Sequence, residues 1–225
     1  MEFIIEHEPV FSTLKVIMQK GESFRAEAGA MISMSSTLNL EAKTAGKGLM
    51  GTLKAAVGGE SFFASLITCR EDEGEIILAP STPGDILMIE MNQSSVFAQA
   101  GAYLAGDPDL EISTKGSFKA FISGEGLFLQ TIRGRGKLFL QSYGAIMKRE
   151  LAAGQSYTVD TGHIVAFEET VSYRIKKASK GIFSSIASGE GLVCEYTGPG
   201  KIWIQTRDLG LLAKLIARFI PAKRS

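Results

Sequence analysis

Ser123-Gly-Glu-Gly-Leu127 followed by Gly136-Lys-Leu-Phe-Leu-Gln-Ser142, and Ser188-Gly-Glu-Gly-Leu192 followed by Gly200-Lys-Ile-Trp-Ile-Gln-Thr206, decide how this chain is read. Two motifs recurring together at similar spacing mark a duplicated structural unit. A third, more worn copy begins at Gly59-Glu-Ser-Phe-Phe63 and reaches Gly74-Glu-Ile-Ile-Leu78, so the Gly-Glu pairs open at positions 59, 124 and 189, 65 apart both times. A Lys-Gly precedes each pair, at Lys47, Lys115 and Lys180. Further upstream Ala26-Glu-Ala-Gly-Ala30 matches Ala98-Gln-Ala-Gly-Ala102, with Val165-Ala-Phe-Glu168 as a weaker third. The chain therefore reads as a single domain, 1–225, holding internal repeats at about 3–80, 84–142 and 155–206.

Short runs rich in Ile, Leu, Phe, Val and Trp, bounded by glycine or charge, predict strands. They lie at Phe62–Cys69, Ile76–Ala79, Leu127–Ile132, Lys137–Gln141, Leu192–Tyr196 and Ile202–Gln205. The connections Arg70-Glu-Asp-Glu-Gly74, Arg133-Gly-Arg-Gly136 and Thr197-Gly-Pro-Gly200 carry the glycines that hairpin turns need, so these strands are expected to pair as hairpins. Phe11–Met18, Asp85–Met91, Ser156–Val159, Ile164–Phe167 and Val171–Ile175 add further strands. After each Lys-Gly, apolar residues three to four apart predict one or two helical turns. The expected fold is all-β, a sandwich or jelly-roll barrel with pseudo-threefold character. The end of the chain departs from this pattern. Asp208 is a suitable N-cap, and Leu209, Leu211, Leu212, Leu215, Ile216, Phe219 and Ile220 share one face before Pro221, which predicts an amphipathic helix over 208–220. That face must dock on its own domain, a neighbouring subunit, another protein or a membrane surface.

Of the 225 residues 45% are hydrophobic, and 24 Lys+Arg balance 24 Asp+Glu. A neutral chain argues against a broad electrostatic grip on nucleic acid or anionic lipid. Cys69 and Cys194 make no disulfide framework or zinc spacing, and no apolar run is long enough to span a bilayer. The expected location is cytoplasmic.

Candidate chemistry is sparse. Gly46-Lys-Gly-Leu-Met-Gly51, with Glu71 and Asp72 downstream, has the form of a dinucleotide fingerprint, but the other repeats keep only its Lys-Gly, which favours a structural element. His7 and His163 lack companion ligands, so no metal is expected. His163 beside Asp160 reads as a turn or surface pair. Cys69 and Cys194 fall in apolar strands without a nearby histidine and read as buried structural thiols. Arg133-Gly-Arg-Gly-Lys137, joined by Lys148-Arg149, is the one concentrated basic feature and reads as a solvated hairpin tip. Glu60, Glu125 and Glu190 recur at one place in every repeat, which favours turn or capping roles. No catalytic, cofactor-binding or metal residue is assigned, and no enzyme activity or cofactor is expected.

The repeated Ser-Gly-Glu-Gly-Leu and Gly-Lys-(Leu/Ile)-(Phe/Trp)-(Leu/Ile)-Gln segments, with Phe24-Arg-Ala-Glu-Ala-Gly-Ala-Met31 and the Lys-Gly-Leu-Met-Gly51 element, resemble a known family over nearly the whole chain. It is the prokaryotic branch of the mitochondrial biogenesis family named for altered inheritance of mitochondria. The resemblance implies an all-β fold like that of the trp RNA-binding attenuation protein, related to the double-stranded β-helix, and a trimeric or ring-like homo-oligomer. It implies no established activity. The favoured reading is a non-enzymatic, self-assembling β scaffold that presents loops or its C-terminal helix to a protein partner. A small-ligand or RNA-binding module, by analogy with the attenuation protein, is the alternative.

Overall fold

The computed structural model describes residues 1–44, 63–115, 128–177 and 192–220. Almost all of their regular structure is antiparallel strand, and the motif repetition has a direct counterpart in how the strands pair. The first set comprises β1 (Glu2–Glu6), β2 (Thr13–Gln19), β3 (Ser23–Glu27), β4 (Met31–Met34), β5 (Leu38–Thr44), β6 (Phe63–Cys69) and β7 (Glu73–Leu78). Its strands form two layers, β1-β2-β7-β4 and β3-β6-β5. Alternation explains them: Leu14, Val16 and Met18 point inward from β2, Phe24 and Ala26 from β3, and Ile76 and Leu78 from β7, all into one buried cluster.

Four strands make the second set: β8 (Ile86–Gln99), β9 (Tyr103–Gly106), β10 (Glu111–Lys115) and β11 (Leu129–Gln141). The third comprises β12 (Ile146–Leu151), β13 (Ser156–Asp160), β14 (Ile164–Glu168), β15 (Ser172–Lys177), β16 (Leu192–Thr197) and β17 (Gly200–Gln205). Its layers, β12-β17-β14 and β13-β16-β15, repeat the pairings of the first set. In the second set β8 and β11 are long enough to serve both layers, β9 flanking one end of β11 and β10 the other. With β1 left aside and the two halves of β8 taken as the first and second strands of its set, the second strands are β3, the later half of β8 and β13, and the third strands are β4, β9 and β14. The third strands share one bulge, because Ile32, Leu104 and Val165 are each skipped in the register with β7, β11 and β17.

The hairpin expectation fails in all three places. β6 pairs with β3 and β5, whereas β7 pairs with β2 and β4. β16 and β17 are separated in the same way. Successive apolar strands bury more surface face to face than edge to edge, so the connection crosses between layers. The Arg133–Gly136 stretch is no turn: β11 runs straight through it, with Gln93 on β8 bulged out opposite. Gly134 and Gly136 adopt φ of 131° and 133°, and a Cβ on Gly136 would fall 2.3 Å from an Asp107 oxygen.

The third copy of the Ala-Gly-Ala loop also lies elsewhere. Gly29 and Gly101 turn the chain from β3 to β4 and from β8 to β9, and the matching connection is a 3-10 turn over Thr161–His163. Its glycine is Gly162, in the connection just ahead of the strand that holds Val165–Glu168. The expected helical turns, the Gly46–Gly51 element and Glu60, Glu125 and Glu190 lie outside the described residues. At the C-terminus α1 (Leu209–Ala217) forms as expected, with the Asp208 side chain accepting from the Gly210 and Leu211 amides. None of its residues is buried.

Candidate functional site

The connections that lead into the sets converge. The Ser12 amide donates to the Gly84 carbonyl at 3.1 Å, and the Ser12 hydroxyl donates to Asp85 Oδ1 at 3.1 Å. Asp85 Oδ2 accepts from the Ile146 amide at 3.3 Å, and the Asp85 amide donates to Gly144 at 3.1 Å. Residues just ahead of β2, β8 and β12 are thus tied in sequence by one carboxylate and two glycines. Gly84 has no substitute here, since a Cβ would sit 1.6 Å from the Ser142 carbonyl oxygen.

Next to this hub lies a cleft of about 210 Å3, lined by residues of all three sets, among them Glu27, Gln99, Ser142, Tyr143 and Val165. Gln141 and Gln205, the glutamines that close the repeated Gly-Lys motif, hold its walls identically. Gln141 Oε1 accepts from the Ser81 amide at 2.9 Å while its Nε2 donates to Gly101 at 3.0 Å. Gln205 Oε1 accepts from the Tyr143 amide at 2.9 Å while its Nε2 donates to Gly162 at 2.9 Å. Each glutamine pins the connection into its own set against the loop between that set's second and third strands. The first set has Ala79 at this place and lacks the clamp.

Glu27 is the acidic member of the cleft. Gln141 Nε2 donates to it at 2.6 Å, and burial pushes its carboxyl above the ordinary carboxylate range against the pull of that hydrogen bond. Ser142 is no free nucleophile, because its hydroxyl donates to the Gly144 carbonyl at 2.7 Å. The volume of the cleft lies below the ~300 Å3 at which pockets for small organic ligands begin.

The residues singled out from sequence do not gather here. Asp160 caps the 3-10 turn through the Gly162 amide, and His163 Nδ1 donates to the Gln205 carbonyl at 2.9 Å, so the two are employed separately. His7 sits on the exposed β1–β2 connection with φ of 62°. Glu71 and Asp72 are exposed between β6 and β7. Cys69 and Cys194 are buried free thiols, and burial pushes the Cys194 thiol up, away from reactivity. Arg133 pairs with Glu169 at 3.5 Å, Lys137 lies 4.7 Å from the Phe3 ring centre, and Lys148 and Arg149 are exposed on β12. These cations are therefore spread along two strands, not gathered at a loop tip. No group of three potential metal ligands occurs among the described residues. The sequence drew attention to the repeated glutamine but not to its clamp or to the Asp85 carboxylate, whose partners Ser12 and Ile146 are 73 and 61 residues away.

Comparison with known proteins gives a consistent picture. A family described as mitochondrial biogenesis AIM24 matches residues 3–207. An uncharacterised protein of Streptococcus pyogenes serotype M6 is 32% identical over 230 residues, spanning 98% of this chain and 92% of the relative. The X-ray crystal structure of a Streptococcus pyogenes protein is similar over 97% of this chain and 99% of that one, with a TM-score of 0.80 at 30% identity.

Proposed function

The chain belongs to the AIM24 family, and on that premise we propose that it is a non-enzymatic β scaffold that assembles with itself and meets other proteins. The observation that carries this reading is the surface of α1. Leu211, Leu215 and Ile216 of α1 and Phe219 just beyond it are 50–79% exposed, and a helix with none of its residues buried keeps a face made for contact. The cleft supports the same reading from the opposite side, since Gln141, Gln205, Asp85 and Ser142 spend their polar groups on holding the sets together. No helix among the described residues is long and apolar enough to cross a membrane. A cytoplasmic location and a trimeric or ring-like assembly belong to the same proposal. Light scattering of the purified full chain, from low to high micromolar concentration, is expected to give a mass that is a multiple of 24.2 kDa. A strict monomer throughout that range overturns self-assembly.

A further inference from the structure

Pairing between sets follows one rule. The second strands reach their last residues at Glu27, Gln99 and Asp160, and the third strands begin four residues later, at Met31, Tyr103 and Ile164. At the first junction Arg25 and Ala26 of β3 face Gly106 and Ala105 of β9. At the second, Ala98, Phe97 and Val96 of β8 face Ala166, Phe167 and Glu168 of β14. Ala26 and Ala98 each stand one residue before the end of the second strand, and Ala105 and Ala166 each stand two residues into the third. Both junctions therefore have the same register and bring together the same small residues.

A chain of three sets uses this junction twice and leaves half of it over at each end. The leftovers are the third strand of the first set, β4, and the second strand of the third set, β13. Among the described residues β4 pairs only with β7, and β13 only with β16. Their exposure follows. β9 is buried along its whole length and β14 at four of five positions, whereas all four residues of β4 are exposed, with Met31 at 43%, Ile32 at 57% and Met34 at 40%. The sequence nevertheless makes β4 as apolar as its buried counterparts and gives it none of the charge or proline that protects a bare edge. On β13, Ser156, Tyr157 and Thr158 are exposed, and only Val159, the counterpart of Ala26 and Ala98, is buried.

We infer that β4 of one copy pairs antiparallel with β13 of a second copy of this chain, repeating the internal junction between molecules. This deepens the self-assembly reading above and rests on it. The shared register fixes the contacts: Val159 faces Ser33, Thr158 faces Met34 and Tyr157 faces Ser35. Ser33 supplies the small residue that Ala105 and Ala166 supply inside the chain. The occupant is a second copy because the chain's own β13 does not cover β4, and a β13 edge is the surface already matched to this strand type. Such a contact is heterologous, so it closes when two copies exchange edges reciprocally and propagates when they do not.

The test mixes one chain carrying Met34→Cys with another carrying Thr158→Cys under mild oxidation. Both positions are exposed in the single chain, and the native thiols are buried. The mixture is expected to give a disulfide-linked species of twice the chain mass, at least about tenfold faster than Met34→Cys mixed with Ser156→Cys, which is two residues out of register. No link in the mixture overturns the inference, as does a doubly substituted chain that links only within itself. Met34→Lys, a change on the exposed edge, is expected to raise the dissociation constant at least about tenfold by light scattering. An assembled chain whose mass ignores Met34→Lys and which does not cross-link breaks this inference alone, whereas a monomeric wild type breaks the scaffold reading beneath it.

Discussion

β4 and β9 hold the same place in successive sets, carry the same bulge against their neighbours and are built from similar apolar residues, yet one is bare and the other is sealed. The difference comes from what lies beyond the outer edge. β9 has β3 there, and among the described residues β4 has no strand. Local sequence sets a strand and its bulge, whereas burial is conferred by the neighbouring set, and a linear array of like units runs out of neighbours at its ends.

The comparison breaks most severely at the hub that orients one set against the next. Gly84→Ala drives a methyl group into the Ser142 carbonyl, and urea unfolding should show a loss of about 4 kcal/mol or failure to fold. Its sharpest form is a matched pair on the bulges. Leu104→Ala, at a fully buried site, should cost about 3 kcal/mol, while Ile32→Ala at the equivalent exposed site should cost less than about 0.5 kcal/mol in dilute, monomeric protein. Equal costs would mean that β4 is covered in the single chain. Gln141→Ala removes the clamp that the first set does without, stranding the Ser81 amide and the Gly101 carbonyl, and should cost about 2 kcal/mol by thermal or urea unfolding. Asp208→Ala should loosen only α1, lowering helical circular dichroism at a cost of about 1 kcal/mol to the helix and leaving the main unfolding transition in place.

The smallest effect concerns Glu27. Its folded-state pKa is raised, so the native state holds this proton more tightly than the unfolded chain does. Its contribution therefore opposes folding above the folded-state pKa and fades as pH falls through that value toward the ordinary 4.5. Glu27→Gln, still able to accept from Gln141, should be more stable than wild type at pH 7, and the gap should narrow as the pH approaches 4.5. A gap that widens on acidification would reverse the sign and remove burial as the cause.

Much of the architecture was legible. The glycine-bounded apolar runs marked β6, β7, β16 and β17 to within a few residues, and Asp208 with its leucines marked α1. β1, β3, β4, β5, β9, β10, β12 and the later half of β8 went unread, because stretches such as Ser23–Glu27 and Met31–Met34 are too short or too mixed to show a period without their partners. The glycines after Arg133 were legible as points of unusual backbone, but glycine serves a turn and a bulge equally well, and only β8 lying alongside makes this one a bulge. At the cleft, the repeated glutamine was visible as a motif while its role was not, since its partners are backbone groups that carry no sequence signature.

By itself the sequence determined that this chain is strand-rich, that several of its motifs recur, and that an amphipathic helix begins after Asp208. Only the tertiary structure decided that consecutive strands go to different layers, that one carboxylate and two glutamines lock the sets, and that β4 and β13 are the loose ends. The physical reason is range. Periodicity, capping and glycine conformation act within a few residues, whereas pairing, burial and register are set by strands tens of residues away that the chain must first bring alongside.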